Sequence, residues 1–264
     1  MDGQLTDLWY FPRPLLVKRY FKSLLEGSGR LALFGPRRTG KTSLICRELL
    51  PLAEQRGMLP VYCDCWQDRS DPIGSINFAL NIAMERLEVP SSKTRRALAS
   101  EVTKLGAAGF SIELDPPPKG KAPESPFFRV DWLLGALIAR AKRPVCLVID
   151  EVQGLAEHEE GERIAGALRT ALTRHEHAVR VLFTGSSETQ LIKLFAQARA
   201  TLYQFAGSQA YELLDQDFVG HVAQRFQHAT KRALDKRRGV EILRLLGHQP
   251  ESFLSVVQVP LARA

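Results

Sequence analysis

The residues best suited to chemistry are GPRRTGKT at 35–42, which match G-x-x-x-x-G-K-[ST] at every fixed position. Glycines let backbone N–H groups curl around phosphate oxygens, and the helix that follows turns its positive end toward them. Lys41 is then expected to reach the β- and γ-phosphates, and the Thr42 hydroxyl a Mg²⁺ ion. The alternative is a plain glycine-rich turn. The predicted nucleotide-binding residues of this loop are Gly35, Pro36, Arg37, Arg38, Thr39, Gly40, Lys41, Thr42 and Ser43.

Two adjacent acids provide a second candidate group. The apolar run from Val145 to Ile149 ends in Asp150 and Glu151, and a buried strand end has little use for two carboxylates unless it faces a cation or a reacting group. Asp150 is predicted to hold Mg²⁺ through water, and Glu151 to orient or deprotonate a water that attacks the γ-phosphate. Alternatively, both are ordinary solvated acids.

A third group consists of small hydroxyls that follow the apolar run 178–185. Thr184, Ser186 or Ser187 would lie at the carboxyl end of a strand, where ligands bind in open α/β sheets. Ser186 is therefore a candidate catalytic residue that contacts the γ-phosphate or the attacking water. Serine and threonine also favour turns for local reasons, so a simple turn is the alternative.

The elements that must position these groups alternate between strand and helix patterns. Apolar runs predict strands at 30–35, 59–65, 143–150, 178–185 and 210–214, and helical spacing lies between them, which predicts an α/β fold around a parallel sheet. We expect an N-terminal linker and helix over 1–29, with Pro14 in the first helical turn, a nucleotide-binding core over 30–214, and a small all-helical unit over 215–264.

An insertion over 92–126 interrupts the alternation. It contains a basic amphipathic pattern at 93–105, a short edge-strand pattern at 110–114, and the proline-rich stretch 116–126, which is expected to be an exposed, poorly ordered loop.

The composition fits a soluble globular protein. The chain has 264 residues, of which 45% are hydrophobic and 25% charged, and its net charge is +7. Four cysteines without regular spacing argue against a disulfide scaffold. The N-terminus has no apolar signal segment and the apolar runs are too short to span a bilayer, so we expect a cytoplasmic protein without a membrane partner.

The three groups, in this order, resemble a P-loop ATPase of the AAA+/STAND assemblage, closest to the archaeal-type ATPases and their bacterial relatives. The likeness covers about residues 10–257. Its specific stretches are 33–44 and 147–153, and weaker ones lie at 183–187, 194–206 and 247–250. It implies a parallel sheet of strand order 5-1-4-3-2 with a C-terminal helical lid, ATP rather than GTP, and Mg²⁺. No GTP-type base-reading motif is present.

The resemblance also implies contacts outside the three groups. The segment before the P-loop, with Phe11, Pro12 and Arg13, would lie against the adenine; alternatively it is an aromatic cluster packed on the sheet. Related lids often place an arginine or a Gly-x-Pro triplet near the nucleotide. Here the lid has His248 and Pro250 instead.

Arg199 stands where oligomeric relatives can place an arginine that reaches the γ-phosphate of a neighbouring subunit. A solvated arginine is the alternative.

The implied function is an ATP-hydrolysing molecular switch that acts on a protein or nucleic-acid partner. Two alternatives remain: a DNA-associated ATPase of the transposition or replication-loader type, and a module that binds ATP without hydrolysing it. Lys41 is expected to face solvent in the empty site. Two basic clusters are a phosphate-backbone footprint or solvated helix faces; they comprise Lys231, Arg232, Lys236, Arg237 and Arg238, and Arg95, Arg96, Lys104, Lys119 and Lys121.

Overall fold

A five-stranded parallel sheet forms the centre of the molecule. The computed structural model describes residues 9–88, 118, 120–186 and 188–258. The strand order is β2-β3-β4-β1-β5, and every neighbouring pair is parallel. This confirms the predicted order 5-1-4-3-2. The strands are Arg30–Phe34 (β1), Leu59–Asp64 (β2), Val145–Asp150 (β3), Val179–Gly185 (β4) and Gly207–Ala210 (β5).

Helices precede, connect and follow the strands. They are Pro14–Glu26 (α1), Lys41–Leu44 (α2), Leu50–Gln55 (α3), Pro72–Glu88 (α4), Pro126–Ala141 (α5), Gly154–Glu157 (α6), Gly161–Arg174 (α7), Glu188–Phe195 (α8), Gln216–Thr230 (α9), Lys236–Leu245 (α10) and Pro250–Gln258 (α11). A π-helical turn, Ile45–Leu49, joins α2 to α3. Within the described ranges, no helix is both long and apolar enough to cross a bilayer.

The interior strand β3, between β2 and β4, is buried along its whole length, which explains why its sequence is continuously apolar rather than alternating. Its side chains divide between two cores. Leu147 belongs to a cluster with α4, α5 and α7, whereas Val148 belongs to a cluster with α1 and the helices that follow the P-loop. Helices therefore cover both faces of the sheet and fix the strand ends from both sides.

The fifth strand lies earlier than predicted. The sequence favoured 210–214, but β5 spans Gly207–Ala210 and its residues are mostly exposed. Among the described strands it pairs with β1 alone and lies at the edge of the sheet, so the polar residues of β5 can face solvent. Tyr211 and Leu214, which suggested the later strand, are buried in two different side-chain clusters instead.

The C-terminal helices α9, α10 and α11 enclose a separate core, so the C-terminal region is helical as expected. Phe218 and Phe253 pack in it with ring centroids 5.8 Å apart, beside Leu243. Trp9 belongs to the same cluster. The N-terminal segment therefore reaches the C-terminal helices, a contact that the sequence did not predict.

Most of the predicted insertion lies outside the described residues, including 93–105 and 110–114. Of the predicted loop 116–126, residues 120–125 have no regular structure, and α5 begins at Pro126.

Candidate functional site

The P-loop joins β1 to α2 and is shaped by two residues with positive φ. Gly40 immediately precedes α2 with φ 91°, and Arg38 has φ 61°. Thr39 is fully buried, and its hydroxyl donates to the Pro36 carbonyl at 2.8 Å. A Cβ at Gly35 would lie 2.9 Å from the Cβ of Tyr211. The loop thus requires glycine at Gly40 for its conformation and at Gly35 for space.

Lys41 is buried, which corrects the expectation that it faces solvent. It is 6% exposed, and its ammonium donates to the carbonyls of Gly35 at 2.8 Å and Pro36 at 2.7 Å. Burial lowers the Lys41 pKa, while the charges of Glu151 and Asp150 act in the opposite direction. The loop carbonyls therefore hold the ammonium inside the P-loop, where the sequence motif requires a cation.

Asp150 lies at the carboxyl end of β3 and accepts four hydrogen bonds. One carboxylate oxygen accepts from the Thr42 hydroxyl at 2.7 Å and from the Tyr62 hydroxyl at 2.9 Å. The other accepts from the Thr184 hydroxyl and from the Glu151 N–H. Asp150 is 2% exposed, and these donors compensate its burial.

The pair of Thr42 and Asp150 fits a magnesium site. Both side chains offer oxygen donors, which hard divalent cations prefer, and they belong to elements that meet at one sheet edge. Thr42 itself is exposed, so a hydrated ion could approach it from solvent.

Glu151 and Ser186 meet at the ends of β3 and β4. The Ser186 hydroxyl lies 2.9 Å from a Glu151 carboxylate oxygen and donates to it. The same hydroxyl is 3.1 Å from Nε of Arg37, a P-loop side chain. The structure thus brings together the predicted base, the predicted hydroxyl and the phosphate loop, although Glu151 and Ser186 lie 35 positions apart in the sequence and Arg37 and Ser186 lie 149 apart.

Sequence reasoning missed two polar residues at this site. Gln153 is buried and its amide contacts both Glu151 and Ser186. Tyr62 donates to Asp150, and its pKa is raised by burial and by the Asp150 charge. The signals available in the sequence were a glutamine two positions after the second acid and a tyrosine in an otherwise apolar strand.

The segment before α1 links the π-helical turn Ile45–Leu49 to the residues that follow β5. The Arg13 backbone N–H donates to the Glu48 carboxylate at 2.9 and 3.0 Å. Its guanidinium donates to the Glu212 carbonyl at 2.8 Å and to the Tyr211 hydroxyl. Because Tyr211 covers Gly35, Arg13 lies close to the P-loop. The adenine contacts expected of Pro12 and Arg13 remain predictions.

Phe11 packs on α9 rather than on the sheet. Its ring lies 6.3 Å from that of Phe218 and 5.4 Å from that of His221. Phe11 thus belongs to an aromatic cluster, but one built on α9, and its expected contact with the adenine stays a prediction.

The remaining predicted residues lie farther along the chain. Arg199 is exposed in the turns after α8. His248 lies with ring Nδ1 2.7 Å from the Leu214 carbonyl oxygen, and Pro250 begins α11. Their predicted roles in nucleotide binding or catalysis stay predictions. Ser187 lies outside the described residues.

The first basic cluster is exposed around the start of α10. Arg237 lies 3.7 Å from Glu241, and Arg238 lies 3.9 Å from Asp235. Acids thus accompany part of this cluster. The second cluster, with Arg95 and Arg96, lies outside the described residues except for Lys121.

Comparison with known proteins supports the fold. The chain is similar to a Walker-type ATPase of Pyrococcus abyssi, with TM-score 0.58 and 17% identity over 93% of this chain and 69% of that chain. At this identity the likeness concerns the fold, which is that of a P-loop ATPase. No protein-family model and no curated protein matches the sequence.

More remote likenesses are to two further solved structures. The Aeropyrum pernix ORC1 protein in complex with DNA gives TM-score 0.47 at 14% identity, over 94% of this chain and 66% of that one. AMPPCP-bound DnaA from Aquifex aeolicus gives 0.43 at 15% identity, over 89% and 57%. The chain thus spans less than two thirds of the length of both proteins.

Proposed function

We propose that this protein binds Mg²⁺-ATP at the P-loop and hydrolyses it to ADP and phosphate, and that the cycle acts as a molecular switch. One observation supports this most strongly: three polar groups lie together at the carboxyl ends of three adjacent strands. They are Lys41, the pair of Thr42 and Asp150, and the pair of Glu151 and Ser186. A phosphate cation, a magnesium pair and a base beside a hydroxyl are the parts that phosphoryl transfer requires.

Each part has a defined task in the proposed reaction. The Lys41 ammonium, oriented by two loop carbonyls, pairs with β- and γ-phosphate oxygens. Thr42 binds the metal through its hydroxyl and Asp150 through water, and bound Mg²⁺ neutralises charge that develops on the phosphates. Glu151 accepts the proton of the attacking water, and the Ser186 hydroxyl orients that water or the γ-phosphate.

The switch requires nucleotide contacts from outside the P-loop. We assign these to Pro12 and Arg13 on one side and to the helical lid, with Pro250, on the other. Since the segment 9–13 contacts both the π-helical turn Ile45–Leu49 and α9, occupancy of the site can change the position of the lid. The lid would then present a different surface to a protein or nucleic-acid partner.

Arg199 is assigned to a neighbouring subunit's γ-phosphate. Its exposure after α8 leaves it accessible to a second copy, and an arginine supplied in trans raises turnover by about 10³–10⁵. Specific activity should then climb with protein concentration in the wild type and stay flat in Arg199→Ala. Equal, flat activity in both proteins would remove Arg199 from the catalytic residues.

Metal-dependent nucleotide binding is tested with Thr42→Val, which keeps the shape of the side chain and removes its hydroxyl. The variant loses a magnesium ligand, so we expect ATP affinity to fall at least about tenfold, or about 1.4 kcal/mol, when Mg²⁺ is present. Without Mg²⁺ the difference should shrink. Calorimetric titration of ATP with and without EDTA measures both.

A matched control is Thr173→Val, which changes an exposed threonine on α7 and should bind ATP like the wild type. Wild-type protein that binds no ATP at millimolar concentration would overturn the proposed function. Equal affinity in wild type and Thr42→Val would remove Thr42 from the metal site.

A further inference from the structure

We propose that Gln153 is a positioning residue: its side-chain amide holds the Glu151 carboxylate against Ser186 and thereby sets the turnover rate. The inference rests on the proposed ATP hydrolysis at this site and assigns a role to a residue that is not part of the phosphate loop or of the acid pair.

Among the described residues, the side-chain hydrogen bonds of Gln153 lead to two residues, Glu151 and Ser186. Its Nε2 donates to Ser186 Oγ at 2.9 Å and to the Glu151 carboxylate. Its Oε1 accepts from the Ser186 backbone N–H at 3.3 Å. Because Ser186 also donates to Glu151, the three side chains form a closed set of hydrogen bonds.

Burial makes this arrangement specific. Gln153 is 1% exposed, and an amide removed from water is costly unless it is hydrogen-bonded. An apolar side chain of similar size would fill the same space without that requirement. The polar atoms of Gln153 are therefore explained by the carboxylate and the serine that they contact.

The backbone around Glu151 is fixed by hydrogen bonds of its own, so the Glu151 side chain is the part that Gln153 has to position. Glu151 has φ 53°, a left-handed conformation that a non-glycine residue adopts only when its surroundings impose it. The Val152 N–H donates to the Thr184 carbonyl at 2.9 Å, and the Gly154 N–H donates to the Glu151 carbonyl at 3.0 Å. These bonds fix the turn, whereas Gln153 and Ser186 fix the carboxylate.

Ser186 also connects this set of hydrogen bonds to the P-loop, through Arg37. Arg37 Nε lies 3.1 Å from Ser186 Oγ, and its guanidinium stacks over the Trp66 ring at 4.2 Å. A phosphate that attracts Arg37 would withdraw one of the partners of Ser186. The hydrogen bonds of Gln153 would then keep Ser186 and Glu151 together while the P-loop rearranges around the nucleotide.

Gln153→Leu tests the role, because it keeps the volume of the side chain and removes its hydrogen bonds. We expect kcat to fall about 10- to 100-fold, since a misplacement of about 1 Å can cost about 10²-fold in rate. The dissociation constant for Mg²⁺-ATP should change by less than about threefold, which corresponds to under about 0.7 kcal/mol.

Asn77→Leu is the matched control. Asn77 is also a buried amide, 5% exposed, and its Nδ2 donates to the Pro126 carbonyl at 3.0 Å, between α4 and α5. Loss of a buried amide should destabilise both variants, but only Gln153→Leu should lower kcat. An equal loss of kcat in both, in step with lost stability, would mean that Gln153 has a structural role only.

Gln153→Glu allows a measurement, the pH dependence of turnover, that would not change if Gln153 had only a packing role. It retains the length of the side chain but places a second carboxylate within hydrogen-bond distance of Glu151, and two such groups share one proton. The acid limb of the turnover–pH profile should move up by about one pH unit or more. An acid limb at the wild-type position would overturn the contact between the two side chains.

The coupling is also measurable without ATP. In urea unfolding, Gln153→Leu combined with Glu151→Ala should lower the midpoint by less than the sum of the two single changes, because both remove the same hydrogen bonds. Strict additivity would overturn the proposal. If the wild type hydrolyses ATP and Gln153→Leu has the same kcat, the role of Gln153 is overturned and the proposed function stands. If the wild type does not bind ATP, the proposed function itself is overturned.

Discussion

Replacing Lys41 by Met should weaken both the fold and nucleotide binding. In the folded protein the Lys41 ammonium donates to two P-loop carbonyls at 2.8 and 2.7 Å and is almost fully buried. Hydrogen bonds to a charged group contribute about 1.5–3 kcal/mol each. Burying the ammonium costs several kcal/mol in return, and the lowered pKa of Lys41 reflects that cost.

The two effects leave a net loss of about 1–3 kcal/mol in the free energy of unfolding, because two loop carbonyls lose their donor. The loss of ATP affinity should be larger, at about 10²-fold or more, since about 2.8 kcal/mol of charge-assisted bonding to phosphate corresponds to that factor. Urea unfolding without nucleotide measures the first quantity, and calorimetric titration of Mg²⁺-ATP measures the second.

Lys193→Met is the control for Lys41→Met, because Lys193 is exposed in the last turn of α8. It should change neither quantity. An unfolding midpoint unchanged in Lys41→Met would show that the ammonium does not hold the loop carbonyls. Unchanged ATP affinity would refute the assignment of the P-loop as the phosphate site.

Three further predictions concern other parts of the molecule. Gly35→Ala places a Cβ 2.9 Å from Tyr211 and should lower the free energy of unfolding by about 1–3 kcal/mol. Gly220→Ala on α9, with open space around it, should raise the free energy of unfolding by about 0.5–1 kcal/mol. Urea midpoints that move in the same direction for both variants would contradict this. Burial lowers the pKa of His221 below its ordinary 6.5, and the charge of Arg225 adds to the shift. Because the unfolded chain therefore binds this proton first as the pH falls, the free energy of unfolding should decrease below about pH 6.5. A thermal-unfolding profile of His221→Leu that keeps the full decrease at acid pH would refute the assignment. If the lid binds nucleic acid, its DNA affinity should fall as the salt concentration rises. The slope of log affinity against log salt concentration should flatten by up to about three charges when Lys236, Arg237 and Arg238 are replaced by alanine. Undetectable DNA binding by the wild type at low salt would exclude this role for the three residues.

The fold was largely predictable because local patterns determine it. The apolar run at β3 and the P-loop motif after β1 place Asp150 and Lys41 at the carboxyl ends of the two strands that flank β4, and the helical periodicities between them require crossover connections. Among the described strands the edge strand β5 alone was misplaced, since its own residues are polar and the apolar Tyr211 just beyond it suggested a later start.

The interior of the site was less predictable, because its hydrogen bonds join residues that are distant in sequence. Gln153 and Ser186 lie 33 positions apart, and Tyr62 and Asp150 lie 88 apart. No local pattern indicates such pairs. The burial of Lys41 was also missed, since the motif specifies that a lysine is present but not that two loop carbonyls accept its hydrogen bonds.

The central claim is that Glu151 acts as the base in ATP hydrolysis, and single-turnover measurement of Glu151→Gln tests it most directly. The substitution keeps size and hydrogen bonding but removes the charge and basicity of the carboxylate. Because Asp150, Thr42 and Lys41 are untouched, Mg²⁺-ATP affinity should stay equal or rise, while the hydrolysis rate should fall by about 10²–10⁴-fold. Hydrolysis at the wild-type rate, with ATP bound as tightly as before, would contradict the claim.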